Sequence, residues 1–155
     1  MDASRIRVLA KALDDAIENE DIEKVLSFFT EDCETELLGL RLEGGHGLKL
    51  ALGWIYKHVT NITLSPITII IDGSVFFEEF LVRAKTHKGK RLEVNQAEVL
   101  IYNEDYLVTS LRLYFDRLLL ADTMATNIVD RILLNQVIKK SLKGLEWHLF
   151  YELPP

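Results

Sequence analysis

A change of hydrophobic period near Asn61 constrains this chain more than any other feature. Before that point apolar residues recur at helical spacing. Residues 4–17 carry Ile6, Leu9, Leu13 and Ile17 on one stripe. Asn19 to Asp21 interrupt it, and Asp21 can cap a second helix bearing Ile22, Val25, Leu26 and Phe29. Thr30-Glu31-Asp32 ends that helix, and a short strand over 33–42 leads to the Gly44-Gly45 turn. Residues 47–60 read as a third helix with Leu48, Ala51, Leu52, Ile55 and Val59 on one face. After Asn61 the pattern becomes β-branched and alternating. Strands are expected over 62–71, 74–87, 90–102 and 107–116, with turns at Asp72-Gly73, Lys88-Gly89 and Asn103-Glu104-Asp105. A last helix over 125–142 ends before Gly144, and the tail carries Trp147, Leu149, Phe150, Tyr151 and Leu153.

Helices first and hairpins afterwards predict an α+β fold, a strongly curved antiparallel sheet with helices packed on its concave side. The 155 residues fit a single domain, 1–155, with the C-terminal helix and apolar tail occupying about 123–155. No repeat or linker divides it.

The hairpin around Lys88-Gly89 holds the chemistry. A symmetric tight turn there sets Arg83 opposite Val94, Leu81 opposite Gln96 and Glu79 opposite Glu98. Two carboxylates directly across from each other among apolar neighbours repel. If they are buried, one keeps its proton at neutral pH, which supplies an acid and a base. In this register Phe76, Phe80, Val82, Ala97, Val99 and Ile101 share the other face. A sheet apolar on both sides needs two covers, so helices on one side and a second copy of the chain on the other are expected: a homodimer.

The net charge of -6 argues against nucleic acid or an anionic membrane as partner. The one cysteine, Cys33, excludes an internal disulfide and fits a reducing, cytoplasmic setting. Charges through residues 1–17 argue against a signal or membrane span. His46, His58, His87 and His148 lie on separate elements without metal-ligand spacing, and no phosphate loop or dinucleotide fingerprint is present. Neither metal nor cofactor is expected. On the third helix Tyr56 lies about 80° and Trp54 about 120° from the centre of the apolar stripe, so both are candidates to meet a ligand.

Certain ordered residues carry a resemblance: Phe29-Thr30-Glu31-Asp32, His46-Gly47, Lys88-Gly89-Lys90, and Arg112-Leu113-Tyr114-Phe115-Asp116. Over roughly residues 5–120 the chain resembles the nuclear-transport-factor-2-like superfamily, within it the SnoaL-like polyketide cyclases and limonene-epoxide hydrolases. The resemblance implies a cone whose concave face lines a pocket for a small hydrophobic molecule and whose flatter face dimerises. It puts Glu79 and Glu98 on the pocket side. It implies that Asp116, the acid ending an Arg-x-Tyr-Phe-Asp strand, handles protons in that pocket. The hydrolases' further Arg and Asp align with Glu79 and Leu81, and their water-holding Tyr and Asn with Thr35 and Leu37, so that machinery is not carried over. A two-residue turn at Glu104-Asp105 would set Leu111 opposite Glu98; a three-residue loop would set Arg112 there and Asp116 opposite Val94. The resemblance and the Arg112–Glu98 pairing favour the second. The expected site is therefore Asp116, Glu98 and Glu79, with Tyr56, Trp54, Arg83, Gln96, Arg112 and Tyr114 contacting the ligand. Two functions follow: acid–base catalysis of an isomerase, cyclase or hydrolase type, or a non-catalytic ligand-binding or dimerising module whose tail plugs its own pocket.

Overall fold

The computed structural model describes residues 1–116 and, beyond them, Ala121, Ile132, Asn135, Gln136, Val137, Lys139 and Lys140. The chain forms two compact units, Met1–Phe115 and Asp116–Pro155. In the second, the described residues from Ala121 onward are helical and all but Ala121 are exposed. The rest of the expected C-terminal helix and the whole expected tail lie outside the described residues. No helix among the described residues is long and apolar enough to cross a membrane.

The first unit opens with α1 (Ala3–Glu18). Asp2 caps it, its Oδ1 accepting from Ser4 N at 2.8 Å. Of the predicted stripe Ile6 and Leu13 are buried and Leu9 and Ile17 half-buried, and Ala10 is buried beside them. The second helix, α2 (Ile22–Leu26), is capped by Asp21, which accepts from Lys24 N at 3.0 Å. It is shorter than its periodicity suggests. Phe29 opens β1 (Phe29–Leu37), and Thr30 to Asp32 belong to that strand. Tertiary pairing overrides local pattern here: Val108 N donates to Phe28 O at 2.8 Å, and Phe29 lies beside Val108.

The single strand expected over 33–42 is a hairpin, β1 with β2 (Leu40–Glu43). Its two turn residues, Leu38 and Gly39, have φ of 56° and 77°. That backbone matches the twist of a two-residue hairpin, but a leucine in the left-handed region gives no turn signal in sequence. The helix α3 (Gly44–His58) then starts at once. Gly44 is required there: its φ is +65°, and a Cβ would lie 2.9 Å from Glu31 O.

Three strands, β3 (Val59–Asp72), β4 (Val75–Thr86) and β5 (Arg91–Tyr102), meander, and β6 (Val108–Phe115) follows. The open sheet runs β2-β1-β6-β5-β4-β3. All its pairings are antiparallel except β1–β6, which is parallel. The long β6–β1 return closes the order that the meander alone could not.

The β4–β5 hairpin forms at Lys88-Gly89, one residue away from the expected register. Gly89 N donates to Thr86 O at 2.8 Å and Thr86 N to Lys90 O at 2.9 Å, with Gly89 at φ +80°. The loop is thus three residues, a type I turn closed by a left-handed glycine. Glu98 faces Glu78, Glu79 faces Ala97, Leu81 faces Asn95 and Arg83 faces Glu93. A slip of one sends an entire set of side chains to the other face. Phe76, Phe80 and Val82, expected on a dimer surface with Ala97, Val99 and Ile101, instead point inward and are buried.

The β5–β6 loop is the three-residue alternative, Glu104-Asp105-Tyr106, with Tyr106 at φ 64° and Asn103 N donating to Leu107 O at 2.9 Å. A bulge then intervenes between the pairs Tyr102–Val108 and Ile101–Ser110. The extra residue, Thr109, moves the remaining pairs on by one. Leu113, not Arg112, faces Glu98, and Arg112 faces Val99.

The inner face carries two apolar clusters. One gathers Ile6, Leu13, Val25, Phe76, Leu100 and Val108. The other gathers Ile62, Phe80, Val82, Ala84, Leu92 and Val94, with Tyr56 touching both. Three acids sit on the same side of the sheet.

Candidate acid–base site

Glu78 and Glu98 stand opposite each other on β4 and β5, with Ile69 beyond Glu78 and Leu113 beyond Glu98. The alternation that buries Phe76 and Phe80 also buries Glu78, and that of Val94 and Leu100 also buries Glu98. Asp14 comes from α1, eight residues after Ile6 and four after Ala10, hence on the helix's buried side. The three residues are 8% (Asp14), 2% (Glu78) and 8% (Glu98) exposed. One carboxylate oxygen from each lies within 4.8 Å of the other two.

Such a group cannot ionise fully. Two unit charges about 4 Å apart repel by about 4 kcal/mol even at an effective dielectric constant of 20, and three make three such pairs. Burial, then Asp14, then Glu78 push the Glu98 carboxyl up to about 8. Burial first and Glu78 next push Asp14 up to about 7. Burial raises Glu78 as well, but the Arg7 guanidinium pulls it back. Burial and then Glu98 raise the Tyr102 phenol further along β5. At neutral pH the group therefore holds protons on Glu98 and partly on Asp14, with Glu78 the member best able to carry charge. An acid and a base then stand side by side in an apolar setting. Three carboxylate oxygens also suit a hard cation, but one could enter only by displacing these protons. The expectation of no metal rested on histidine spacing, and the grouping involves no histidine.

The other expected residues lie elsewhere. Glu79 is on the outer face, its Oε2 accepting from Thr68 Oγ1 at 3.2 Å. Arg83 is there too, donating to Glu93 Oε2 at 3.2 Å and Ser65 Oγ at 3.3 Å. Tyr114, 49% exposed, faces Ala97 on that side. Arg112 lies beside Glu36 on the outer face and lines a cleft of about 230 Å³ with Glu34, Glu36, Arg41 and Ser110. Its Nε is buried without a hydrogen-bond partner. Gln96 remains on the inner face, half-buried, opposite Phe80 and Phe115. Tyr56 is half-buried and donates to Ile17 O at 3.2 Å; burial pushes its phenol up to about 12. The Trp54 ring lies 4.9 Å from that of His58, whose Nδ1 donates to Trp54 O at 2.7 Å. Asp116 follows the end of β6, is exposed and belongs to the second unit. Of the three expected acids, Glu98 alone lies in the cluster.

Sequence reasoning passed over Asp14 and Glu78. Asp14 had a signal, since it continues the Ile6–Ala10 stripe. Glu78 had one too, because it alternates with Phe76 and Phe80. The assumed turn geometry put its face on the wrong side.

No family profile matches the sequence, and no curated protein matches it. Solved structures do. An NTF2-like protein of unknown function from Burkholderia pseudomallei superposes with TM-score 0.72 at 14% identity, covering 78% of this chain and 98% of that one. A candidate SnoaL-like polyketide cyclase from Shewanella putrefaciens gives 0.69 at 16% identity, covering 79% and 98%. TerC, co-crystallized with polyporic acid, gives 0.70 at 17% identity, covering 78% and 98%. By its architecture this chain has the NTF2-like α+β fold, in the form shared with SnoaL-like polyketide cyclases.

Proposed function

We propose that the protein binds a small hydrophobic molecule at the inner face of its sheet and moves protons on it with its own carboxyls. The observation that carries this reading is the buried group of Asp14, Glu78 and Glu98, three acids within 4.8 Å. Apolar side chains would stabilise that position better, since breaking up a core with unpaired acids costs stability. Perturbed acids of this kind are a mark of functional sites. Glu78 takes the role of base, removing a proton next to a carbonyl. Glu98, protonated, gives a hydrogen bond or its proton to the oxygen that becomes negative. The ligand class follows the apolar surroundings, and TerC's co-crystallization with polyporic acid offers a first binding probe.

The test is proton exchange. Cyclic ketones that carry hydrogens next to the carbonyl are incubated with the protein in D2O and followed by NMR. Enzyme-dependent deuterium uptake that Glu78→Gln abolishes supports the reading; uptake no faster than in buffer for every compound ends it.

A second reading, a dimerising module, is favoured by the outer face. Ile70, Val75 and Tyr114 are 57%, 39% and 49% exposed, with Phe77, Val99 and Ile101 half-buried between them. A patch of this kind suits a second copy of the chain. Light scattering at micromolar concentration should give the dimer mass, and Val99→Arg should halve it. A monomer for the unaltered protein ends this second reading.

A further inference from the structure

We infer that α1 is a proton-governed lid over the acid group: its docking on the sheet holds while the group keeps its protons and loosens as they leave. The inference deepens the proposed function by supplying the regulation of that site. Its geometry also stands without the catalytic reading.

The helix is held at both ends by contacts that do not involve the acid group. Near its start, Asp2 N donates to the Tyr106 hydroxyl at 3.1 Å, and the Arg5 guanidinium lies 3.9 Å over the Tyr106 ring. At its end, Glu18 Oε1 accepts from Leu64 N at 2.6 Å, and Tyr56 donates to Ile17 O. Between these fastenings Asp14 meets Glu78 and Glu98 across the helix–sheet interface. The acid group thus lies beneath the C-terminal half of the helix, buried. Lifting the helix would take Asp14 away from Glu78 and Glu98.

The charged and titratable groups facing this interface can be named element by element. From α1 itself, Arg7, Lys11, Asp15 and Glu18 act on it, Lys11 being paired with Asp15. From β4 there is Glu78, and from β5 Glu98 and Tyr102. Arg7 acts on Glu78 and Lys11 on Asp14, and both are exposed. Two screened cations cannot offset three buried carboxylates. With two protons in place the group carries one charge and can share hydrogen bonds. With none it carries three, all repelling across the one interface.

The direction follows from where the acids titrate. Docked, Asp14 and Glu98 release protons near 7 and 8; freed into water they do so near their ordinary values of 3.8 and 4.5. The docked helix therefore holds more protons at every pH between those limits. Docking is strongest below about pH 4, weakens as the pH rises, and reaches its floor near pH 8.

Hydrogen exchange on the full chain tests this. After correction for the intrinsic rate, the opening of α1 amides around residues 10–18 should rise at least about tenfold between pH 5.5 and 8.5, as expected for a net proton released on opening. At every pH in that range the α1 amides should open more readily than amides in the centres of β4 and β5, which report unfolding of the whole unit. Glu98→Gln and, independently, Asp14→Asn should each flatten the rise, so one variant failing to fold leaves the other. An α1 opening that does not vary with pH overturns the inference. So does an α1 opening free energy equal to that of the sheet at every pH, which would mark global unfolding, or a rise that both variants leave intact. Proton exchange on ketones persisting with a pH-independent helix would reject the lid and keep the acid–base site; the opposite result would keep the lid alone.

Discussion

Glu78 and Glu79 are neighbours in sequence, and the two faces of the β4–β5 hairpin treat them differently. On the outer face Glu79 is partly exposed, meets the Thr68 hydroxyl and lies two rows from the Arg83–Glu93 pair. Water and a partner are both at hand. On the inner face Glu78 is 2% exposed and finds two more acids. The same side chain thus serves as an ordinary surface group in one place and a proton-sharing member of a cluster in the next. What differs is the face, and a single residue of loop length sets the face.

Five substitutions and one pH profile can break or sharpen that contrast. The largest effect should come from Phe76→Ala, which empties a site 1% exposed beside Glu78 on the inner face and should cost about 3–5 kcal/mol. Phe77→Ala, on the half-buried outer face, should cost about 1–2 kcal/mol. Urea denaturation of both measures the gap; equal losses would mean that the two faces are equally covered.

Next is the pH response of the unaltered protein. Asp14 and Glu98 are both raised in the folded state, to about 7 and about 8. The stability they allow is fully present below about pH 4 and is lost as pH rises through 7 and 8. A fall of about 2–4 kcal/mol between pH 5 and pH 9 is expected. Glu98→Gln should remove most of that slope and leave the protein more stable than the parent at pH 9. A flat profile in the parent would mean that the acids are hydrated and ionised.

The smallest effect is expected from Glu79→Gln and Arg83→Met on the outer face, each within about 0.5–1 kcal/mol at any pH, because exposed pairs contribute little. A loss comparable to that of Glu98→Gln would show the outer face to be covered in solution. Repeating the measurement at several protein concentrations would then tell whether a second copy covers it.

Much of this architecture was legible in the sequence. The helix-to-hairpin switch at Asn61 follows from period alone, and α1, α3 and the turns at Gly73 and Gly89 fall where local chemistry puts them. An acid pair facing each other across β4 and β5 was also legible in kind. Its membership was not. Lys88-Gly89 marks a turn but does not tell a two-residue loop from a three-residue one, and parity decides which glutamate faces Glu98. The bulge at Thr109 left no mark that local patterning could register, and it separated Arg112 from Glu98. Asp14 required knowing that α1 lies over this part of the sheet, which is long-range information.

The parallel pairing of β1 with β6 also has a consequence for how the chain comes together. β1 is made early, yet one of its two edges finds its partner only when residues 108–115 exist. Until then the first half can form α1, α2 and the β1–β2 hairpin, and the second can form the β3–β4–β5 meander, each with an unmatched border. At a synthesis rate of about 5–20 residues per second, that border stays open for several seconds. Closing so long a loop is also a slow kind of nucleation. The seam between the halves is therefore where misassembly and strand exchange between copies should begin, and β6 is the segment whose arrival ends that risk.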